Sequence, residues 1–187
     1  MEWTDDDKAF LQQFRNTVDY DAIKVKQKVK ETLLNNKYII HVLNNKELEE
    51  SEAEPDDYFG VNILPYYIVQ PVQVDVQNFV TFQVSYSDVP QWDKTKKYLQ
   101  LTFVVLCEQK NIIDKDTSLP RHDLLGALIQ DQFNHSTICG HSIRLVKDRE
   151  IVVDNSYAAR ELTFEQFADN NLVKTRNGVT AFSNKAI

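Results

Sequence analysis

The densest group of metal-binding side chains in the sequence lies in residues 135–141 (HSTICGH), which hold His135, Cys139 and His141, with His122 upstream. Histidine nitrogens and cysteine sulfurs are ligands that zinc prefers, but this spacing matches no standard zinc pattern. His122 and His135 are thirteen positions apart, which is about 20 Å if both lie on one helix. We therefore expect a helix that ends in a tight turn, and no metal site.

A cysteine nucleophile requires a histidine beside the thiol and a third group that orients the histidine. Cys107 ends an apolar run, so we interpret it as a small buried thiol. Nothing places Cys139 at a helix N-terminus, which would lower the pKa of its thiol. A hydrolase that uses His122, Asp123 or His135 is an alternative, but their spacing predicts no common pocket. The chain is therefore predicted not to be an enzyme.

Phosphate-binding loops need several glycines close together, and the four glycines of this sequence are far apart. Two cysteines are too few for a disulfide framework. The longest apolar runs have about five residues, whereas a membrane span needs about 20. The acidic N-terminus (MEWTDDDK) lacks the layout of a signal peptide. We therefore expect a cytosolic protein at synthesis, with no cofactor and no membrane contact.

The formal net charge of −7 argues against a protein that binds nucleic acid with its whole surface. Residues 46–57 (KELEESEAEPDD) hold seven of the 28 acidic residues, and such a block is predicted to be an exposed loop. The block lacks the alternating oxygen ligands and the central glycine of a calcium-binding EF-hand loop. Its acidic residues are Glu47, Glu49, Glu50, Glu52, Glu54, Asp56 and Asp57.

Helical patterns occur in both halves of the sequence. Thr4 followed by three aspartates is a typical helix start, because carboxylates suit the positive end of the helix dipole. A second helix is predicted to begin near Asp21, and residues 37–45 are predicted to form a short helix or a strand. Ser118 and Pro120 predict the start of a further amphipathic helix, with Ser118 as its cap and the proline in its first turn.

The middle of the sequence has the period of two that is typical of β-strands. Residues 76–86 alternate between apolar and polar side chains, and residues 98–107 are apolar enough to be buried on both faces. The preceding segment contains Pro65 and is bounded by Pro71, which favours an edge strand because proline removes a ladder donor. Short connections between these three strands predict an antiparallel meander.

Two further strands are predicted at residues 142–147 and 157–164, around a turn at residues 148–155. The order of the elements predicts an α+β fold, with a mainly antiparallel sheet of about five strands and amphipathic helices packed on it. The predicted units are an N-terminal helical extension (residues 1–20), an α+β domain (residues 21–167) and a C-terminal tail or contact arm (residues 168–187).

One long segment has an ordered series of sequence motifs that can be compared with known protein families. Residues 119–167 read LPRHDLLGALIQDQFNHSTICGHSIRLVKDREIVVDNSYAARELTFEQF, which is an RxDLLG-type helix, a turn, an IxLVxDxE strand and a DNxYxxRxLTFE strand. This segment resembles the tail-completion and tail-terminator proteins of tailed bacteriophages that infect Gram-positive and gut bacteria. Residues 25–43 look like the first helix of such proteins and residues 57–65 like the entry to their first strand, so the resemblance covers residues 21–167.

The resemblance implies a structural virion protein with this α+β fold. It implies a homo-oligomeric ring, usually of six copies, that caps the finished tail tube and joins it to the neck or head. The implied partners are tail-tube and neck proteins, while DNA passes through the ring without specific binding. The implied location is the tail or neck of the virion, after assembly in the bacterial cytoplasm. A related neck or head-completion protein is an alternative, and a small binding adaptor is another.

A ring through which DNA passes benefits from an acidic inner wall, because such a wall repels phosphates. The acidic residues of segment 47–57 are therefore our candidate for a lumen-facing or inter-subunit element. Exposed sheet edges recruit partner chains through their unpaired backbone groups, so we also predict an inter-subunit edge and a contact role for the C-terminal tail. The predicted edge residues are Pro65, Tyr66, Tyr67 and Pro71.

Overall fold

The computed structural model describes residues 4–12, 22–67, 78–87, 96–153 and 156–169. Short 3-10 helices lie at Pro55–Tyr58 and Gln109–Asn111. No helix within the described residues is long and apolar enough to span a membrane. The α-helices of these residues are α1 (Asp5–Gln12), α2 (Ala22–Leu34), α3 (Lys37–Leu43), α4 (Lys46–Glu50) and α5 (Arg121–Phe133). The strands are β1 (Ile63–Leu64), β2 (Phe79–Ser87), β3 (Lys96–Glu108), β4 (Arg144–Val152) and β5 (Tyr157–Asp169).

The strands form one five-stranded sheet in the order β1-β2-β3-β5-β4. The β2–β3, β3–β5 and β4–β5 pairs are antiparallel, so the predicted α+β fold with a mainly antiparallel sheet is confirmed. The predicted antiparallel meander is wrong for its first strand, because β1 pairs with β2 in parallel. A short hairpin turn cannot join parallel neighbours, so the short connection that predicted the meander does not apply to β1 and β2.

Three buried asparagines fix this parallel start. The Asn62 side-chain amide donates to the Asn78 backbone oxygen at 2.9 Å, and Asn45 donates to the Asn62 side-chain oxygen at 2.7 Å. Asn78 donates in turn to the backbone oxygen of Leu43 at 2.9 Å. The network therefore holds the start of β2 beside the start of β1 and ties both to the C-terminal end of α3.

The helical layer packs on one face of the sheet. Phe103 on β3, Phe133 on α5 and Phe164 on β5 form the centre of this core, with ring centroids 4.8 to 6.2 Å apart. On the opposite face of β3, Val104 and Leu106 are also buried, in a second apolar cluster. The prediction that residues 98–107 form a strand buried on both faces is therefore confirmed for the half of β3 that contains these residues.

Helix α5 begins three residues later than its predicted cap. Ser118 has a φ of 60° and makes no cap, so the predicted role of Ser118 is wrong. The helix start is instead fixed by Arg121, whose backbone N–H donates to the oxygen of Ile112 at 2.7 Å. Helix α5 ends at Phe133, before His135, and a turn follows, so the predicted helix that ends in a turn is confirmed and the two histidines do not share one helix.

The acidic segment is not the predicted loop. Helix α4 occupies its first half because the Asn45 side chain caps the helix by accepting the N–H of Leu48 at 3.3 Å. The 3-10 helix occupies its second half, where the Asp57 carboxylate accepts the N–H of Glu54 at 3.0 Å. Acidic side chains at the start of both helices suit the positive end of the backbone dipole, so the same residues that predicted a loop stabilise two helix starts.

The structure also resolves the helix-or-strand alternative at residues 37–45 and moves the end of the strand predicted at residues 142–147. Residues 37–43 form a helix and not a strand, because the Asn36 side chain accepts the N–H groups of Tyr38 and Ile39. The predicted turn at residues 148–155 is too long, since Asp148 to Val152 continue β4. Cross-strand charge pairs stabilise this extension of the hairpin, as in the pair between Arg160 and Asp148 at 2.8 Å.

Candidate assembly surface

A groove of about 790 Å³ runs between α2 and the 3-10 helix Pro55–Tyr58. Its apolar surface includes Ile23, Phe59 and Pro65, and its rim carries Glu54 and Asp56. The structure therefore brings two sets of predicted residues together at one place, since Glu54 and Asp56 come from the acidic segment and Pro65 comes from the predicted edge. Their convergence was not predicted.

Two lysines of α2 hold the walls of this groove together. The Lys30 ammonium lies 2.9 Å from the Asp56 carboxylate and 4.6 Å from the centre of the Phe59 ring. The Lys26 ammonium donates to the backbone oxygen of Pro65 at 2.7 Å. Because the Asp56 side chain is 79% exposed, its ion pair adds less than about 1 kcal/mol of stability. The lysines therefore position the groove walls more than they stabilise the fold.

The four glutamates that precede Glu54 in the acidic segment are exposed and do not line the groove. Glu47, Glu49, Glu50 and Glu52 are all exposed, and they form no ion pair with another residue of the described ranges. Burial, and secondarily the charge of Glu49, raises the pKa of Tyr58 above its usual value. We call these four glutamates the acidic patch. Their lumen or inter-subunit role stays a prediction.

The predicted edge residues lie at one side of the sheet. β1 pairs with β2 only at Val80 and Thr81, which leaves Phe82–Ser87 without a β1 partner within the described part of the chain. Tyr66 and Tyr67 follow β1, and their side chains are 46% and 39% exposed. Pro71 lies outside the described residues. Exposed tyrosines beside an incompletely paired strand suit a protein interface, because tyrosine is enriched there.

The residues that suggested metal or thiol chemistry have structural roles. Cys139 is fully buried, and burial raises the pKa of its thiol to about 11. Burial also raises the pKa of Cys107 well above its usual value. Since the thiolate is the reactive form, neither cysteine suits nucleophilic chemistry. The Cys139 backbone oxygen accepts the side-chain amide of Gln166 at 2.8 Å, which anchors the turn after α5.

The sequence did not predict two histidine–carboxylate clusters among the described residues, His41–Asp114–Asp116 and His122–Asp123–Glu150, whose donor atoms lie within 4.8 Å of one another. The predicted hydrolase residues His122 and Asp123 thus lie together, with Nε2 and Oδ1 3.4 Å apart, while His135 lies beyond α5. In each cluster an arginine is already paired with one of the carboxylates. These two arginine–carboxylate pairs link α5 to its neighbours.

The arginine contacts are short. Arg121 lies 3.0 Å from Asp114, and Arg160 lies 2.6 Å from Asp123. Arg160 also pairs with Asp148, and its stem fills the space above Gly126, where an added Cβ would lie 2.7 Å from the Arg160 Cδ. No sequence signal predicts such pairs, because the fold alone brings α5 beside β4 and β5.

These features define an α+β protein that has a groove beside α2, exposed acidic side chains and a sheet edge with two exposed tyrosines. Residues 36–166 match the model of the YomW family, and the chain belongs to this family. YomW is a phage-associated family name, which supports the broader part of the resemblance seen in the sequence. No curated protein matches the chain.

Proposed function

We propose that this chain is a structural protein of a tailed bacteriophage, not an enzyme. It forms a ring, of six copies, that terminates the tail tube and joins it to the neck. The observation that carries the proposal is that exposed acidic side chains, a groove and a tyrosine-bearing sheet edge occur on one small domain. These surfaces fit a subunit that binds its neighbours and repels DNA. The phage-associated family supports the bacteriophage part, and the resemblance of residues 21–167 supports the terminator part.

The two edges of the sheet differ in a way that favours head-to-tail contact. The β4 edge has a register shift between Leu145 and Lys147 and carries charged side chains such as Arg149 and Glu150, and such features protect an edge strand from pairing. The opposite edge has Tyr66 and Tyr67 exposed. A contact between two different surfaces repeats around an axis, and it closes into a ring when the rotation permits.

Replacing Tyr66 and Tyr67 together by serine is expected to weaken ring formation, because buried interface tyrosines contribute about 2 kcal/mol or more to binding. Mass photometry should find wild-type rings of about 130 kDa, six times the 21.8 kDa chain, and mostly smaller species for the double variant. Tyr38→Ser is the matched control, since Tyr38 is 60% exposed on α3 and away from the edge. A wild-type chain that stays monomeric at high concentration and on tail tubes would contradict the ring.

Replacing the four glutamates of the acidic patch by lysine is expected to make the ring hold DNA. Binding of duplex DNA should rise by about 10³-fold at low salt and fall steeply as salt increases, because each phosphate contact releases counterions. Fluorescence anisotropy with labelled duplex DNA measures this affinity. Phage that carry the variant should eject DNA more slowly than wild-type phage.

The control for this charge reversal places the same number of lysines at other exposed acidic positions, namely Asp5, Asp6, Asp116 and Asp131. This control has the same net charge, so it should bind DNA as a general polycation does in solution but leave DNA ejection unchanged. Equal slowing of ejection by both variants would argue against a lumen position of the acidic patch.

A further inference from the structure

We infer that the groove between α2 and the 3-10 helix Pro55–Tyr58 binds the C-terminal segment, residues 170–187, of a neighbouring copy of this chain. This inference deepens the proposed ring, because it names the contact that links one subunit to the next. The segment lies outside the described residues, and its amino-acid sequence supplies the charges and apolar side chains that match the groove.

Charge complementarity supports this occupant. Residues 170–187 contain Lys174, Arg176 and Lys185 and no acidic residue, although the whole chain has a net charge of −7. The groove lining holds three carboxylates, Glu31, Glu54 and Asp56, and two lysines, Lys26 and Lys30. Asp56 is paired with Lys30, so the lining keeps a small net negative charge, and Glu31 and Glu54 are exposed to a ligand. Opposite charges on two surfaces steer their encounter and fix their register, so a basic segment is the part of this chain that the groove best accepts.

Apolar complementarity supports it as well. The groove offers Ile23, which is 47% exposed, together with Phe59 and Pro65. The C-terminal segment carries Phe182 and Val179 between its basic residues. An aromatic anchor in an apolar groove with a charged rim is the arrangement that supplies most of the affinity in peptide recognition.

The strand register favours a neighbouring copy over the same chain. β5 ends at Asp169 opposite Lys96, whereas Pro65 follows β1, which pairs near the start of β2. The distance from Asp169 to Pro65 is about 24 Å along the strands and about 14 Å across them. A chain that covers this distance uses about eight extended residues. Within one chain, Lys174 and Arg176 would lie in this span, and only Lys185 would be left to meet the acidic side chains of the groove. A neighbouring copy can present all three basic residues.

Site-directed disulfide formation in the full-length chain tests this contact. Gln27 lines the groove, so Gln27→Cys on one chain and Ser183→Cys on a second, size-tagged chain should form a covalent dimer under mild oxidation, with the Phe182 anchor intact. Cys107 and Cys139 are fully buried and do not compete. The matched control is Tyr38→Cys mixed with Ser183→Cys, which should give little dimer.

Glu54→Lys in the Gln27→Cys chain should lower the dimer yield about fivefold, because it reverses one exposed charge contact. Equal yields for Gln27→Cys and Tyr38→Cys would overturn the inference. A third sample is a chain that carries both substituted cysteines. If the disulfide forms only within this chain and never between two chains, the inference is also overturned. Six-copy rings without the Gln27–Ser183 link would overturn this inference but leave the proposed function intact. Linked dimers that never close into rings would support the contact and contradict the ring.

Discussion

Replacing Asp114 by alanine is expected to lower the free energy of unfolding by about 3 to 5 kcal/mol, because it leaves a buried arginine without its counter-ion. The side chains of Asp114 and Arg121 are only 4% and 5% exposed, with 3.0 Å between the paired atoms. Asp114 also accepts the backbone N–H and the hydroxyl of Thr117 at 3.0 and 2.8 Å. The substitution therefore removes an ion pair and a turn at the same time.

Urea unfolding followed by circular dichroism measures this loss. Asp116→Ala is the matched control, because Asp116 is 75% exposed and its contact with His41 is at the surface, so its effect should stay below about 0.5 kcal/mol. The double change Asp114→Leu with Arg121→Met should cost less than Asp114→Ala alone, since it leaves no unpaired charge. A loss below about 1 kcal/mol for Asp114→Ala would contradict the structural role of this pair.

The same pair predicts the response to acid. Burial of the Asp114 carboxyl raises its pKa, but the hydrogen bonds from Thr117 and the charge of Arg121 outweigh burial, so the pKa lies below its usual value. A carboxyl whose pKa is lowered in the folded state stabilises the protein above its unfolded pKa, and this stability disappears as pH falls through the folded pKa. Unfolding free energy should therefore fall below about pH 4, and this fall should be smaller in the Asp114→Leu, Arg121→Met variant.

Replacing Phe133 by alanine is expected to destabilise the fold by about 3 to 5 kcal/mol, because truncation of a buried phenylalanine leaves a cavity. Phe133 is fully buried and is the last residue of α5, where its ring packs against Phe103 at 4.8 Å and Phe164 at 6.2 Å. Removal of the Phe133 ring removes the aromatic contacts between α5 and strands β3 and β5. Thermal unfolding and urea unfolding both measure this effect.

Phe167→Ala is the matched control for this core substitution. Phe167 is 50% exposed and stacks on Tyr98 at the surface, with ring centroids 4.4 Å apart. Its truncation should cost less than about 1.5 kcal/mol. If Phe133→Ala and Phe167→Ala lower the free energy of unfolding by similar amounts, α5 is not anchored through Phe133.

The fold was largely predictable from periodicity. The alternation in residues 76–86 identified a strand with one buried face, which is β2. The apolar stretch of β3 identified the central strand, since both faces of a central strand are buried. The parallel orientation of β1 was not predictable, because β1 has two residues and its direction depends on hydrogen bonds from Asn62 to Asn78. Asn62 and Asn78 are sixteen positions apart, so the bond from the Asn62 amide to the Asn78 backbone oxygen forms only in the folded chain.

The candidate surface was predictable in its parts and not in its arrangement. The acidic composition identified Glu54 and Asp56, and proline chemistry identified Pro65. Their convergence on α2 depends on Lys30 and on Lys26, whose contact with Pro65 joins residues 39 positions apart. Such contacts have no local sequence pattern. The helical state of the acidic segment was missed for a different reason, since the cap at Asn45 outweighs the repulsion that composition suggests.

A cryo-electron microscopy map of the intact phage particle at the head–tail junction tests the central claim most directly. The proposed function predicts a ring of six copies of this chain on the last layer of the tail tube, with the acidic patch facing the lumen and residues 170–187 of each copy against the α2 groove of the next. Density for this chain only in another part of the particle, or none in the particle, would contradict the claim. A six-copy ring on the neck side, not in contact with the tail tube, would replace the terminator role by that of a neck-completion protein.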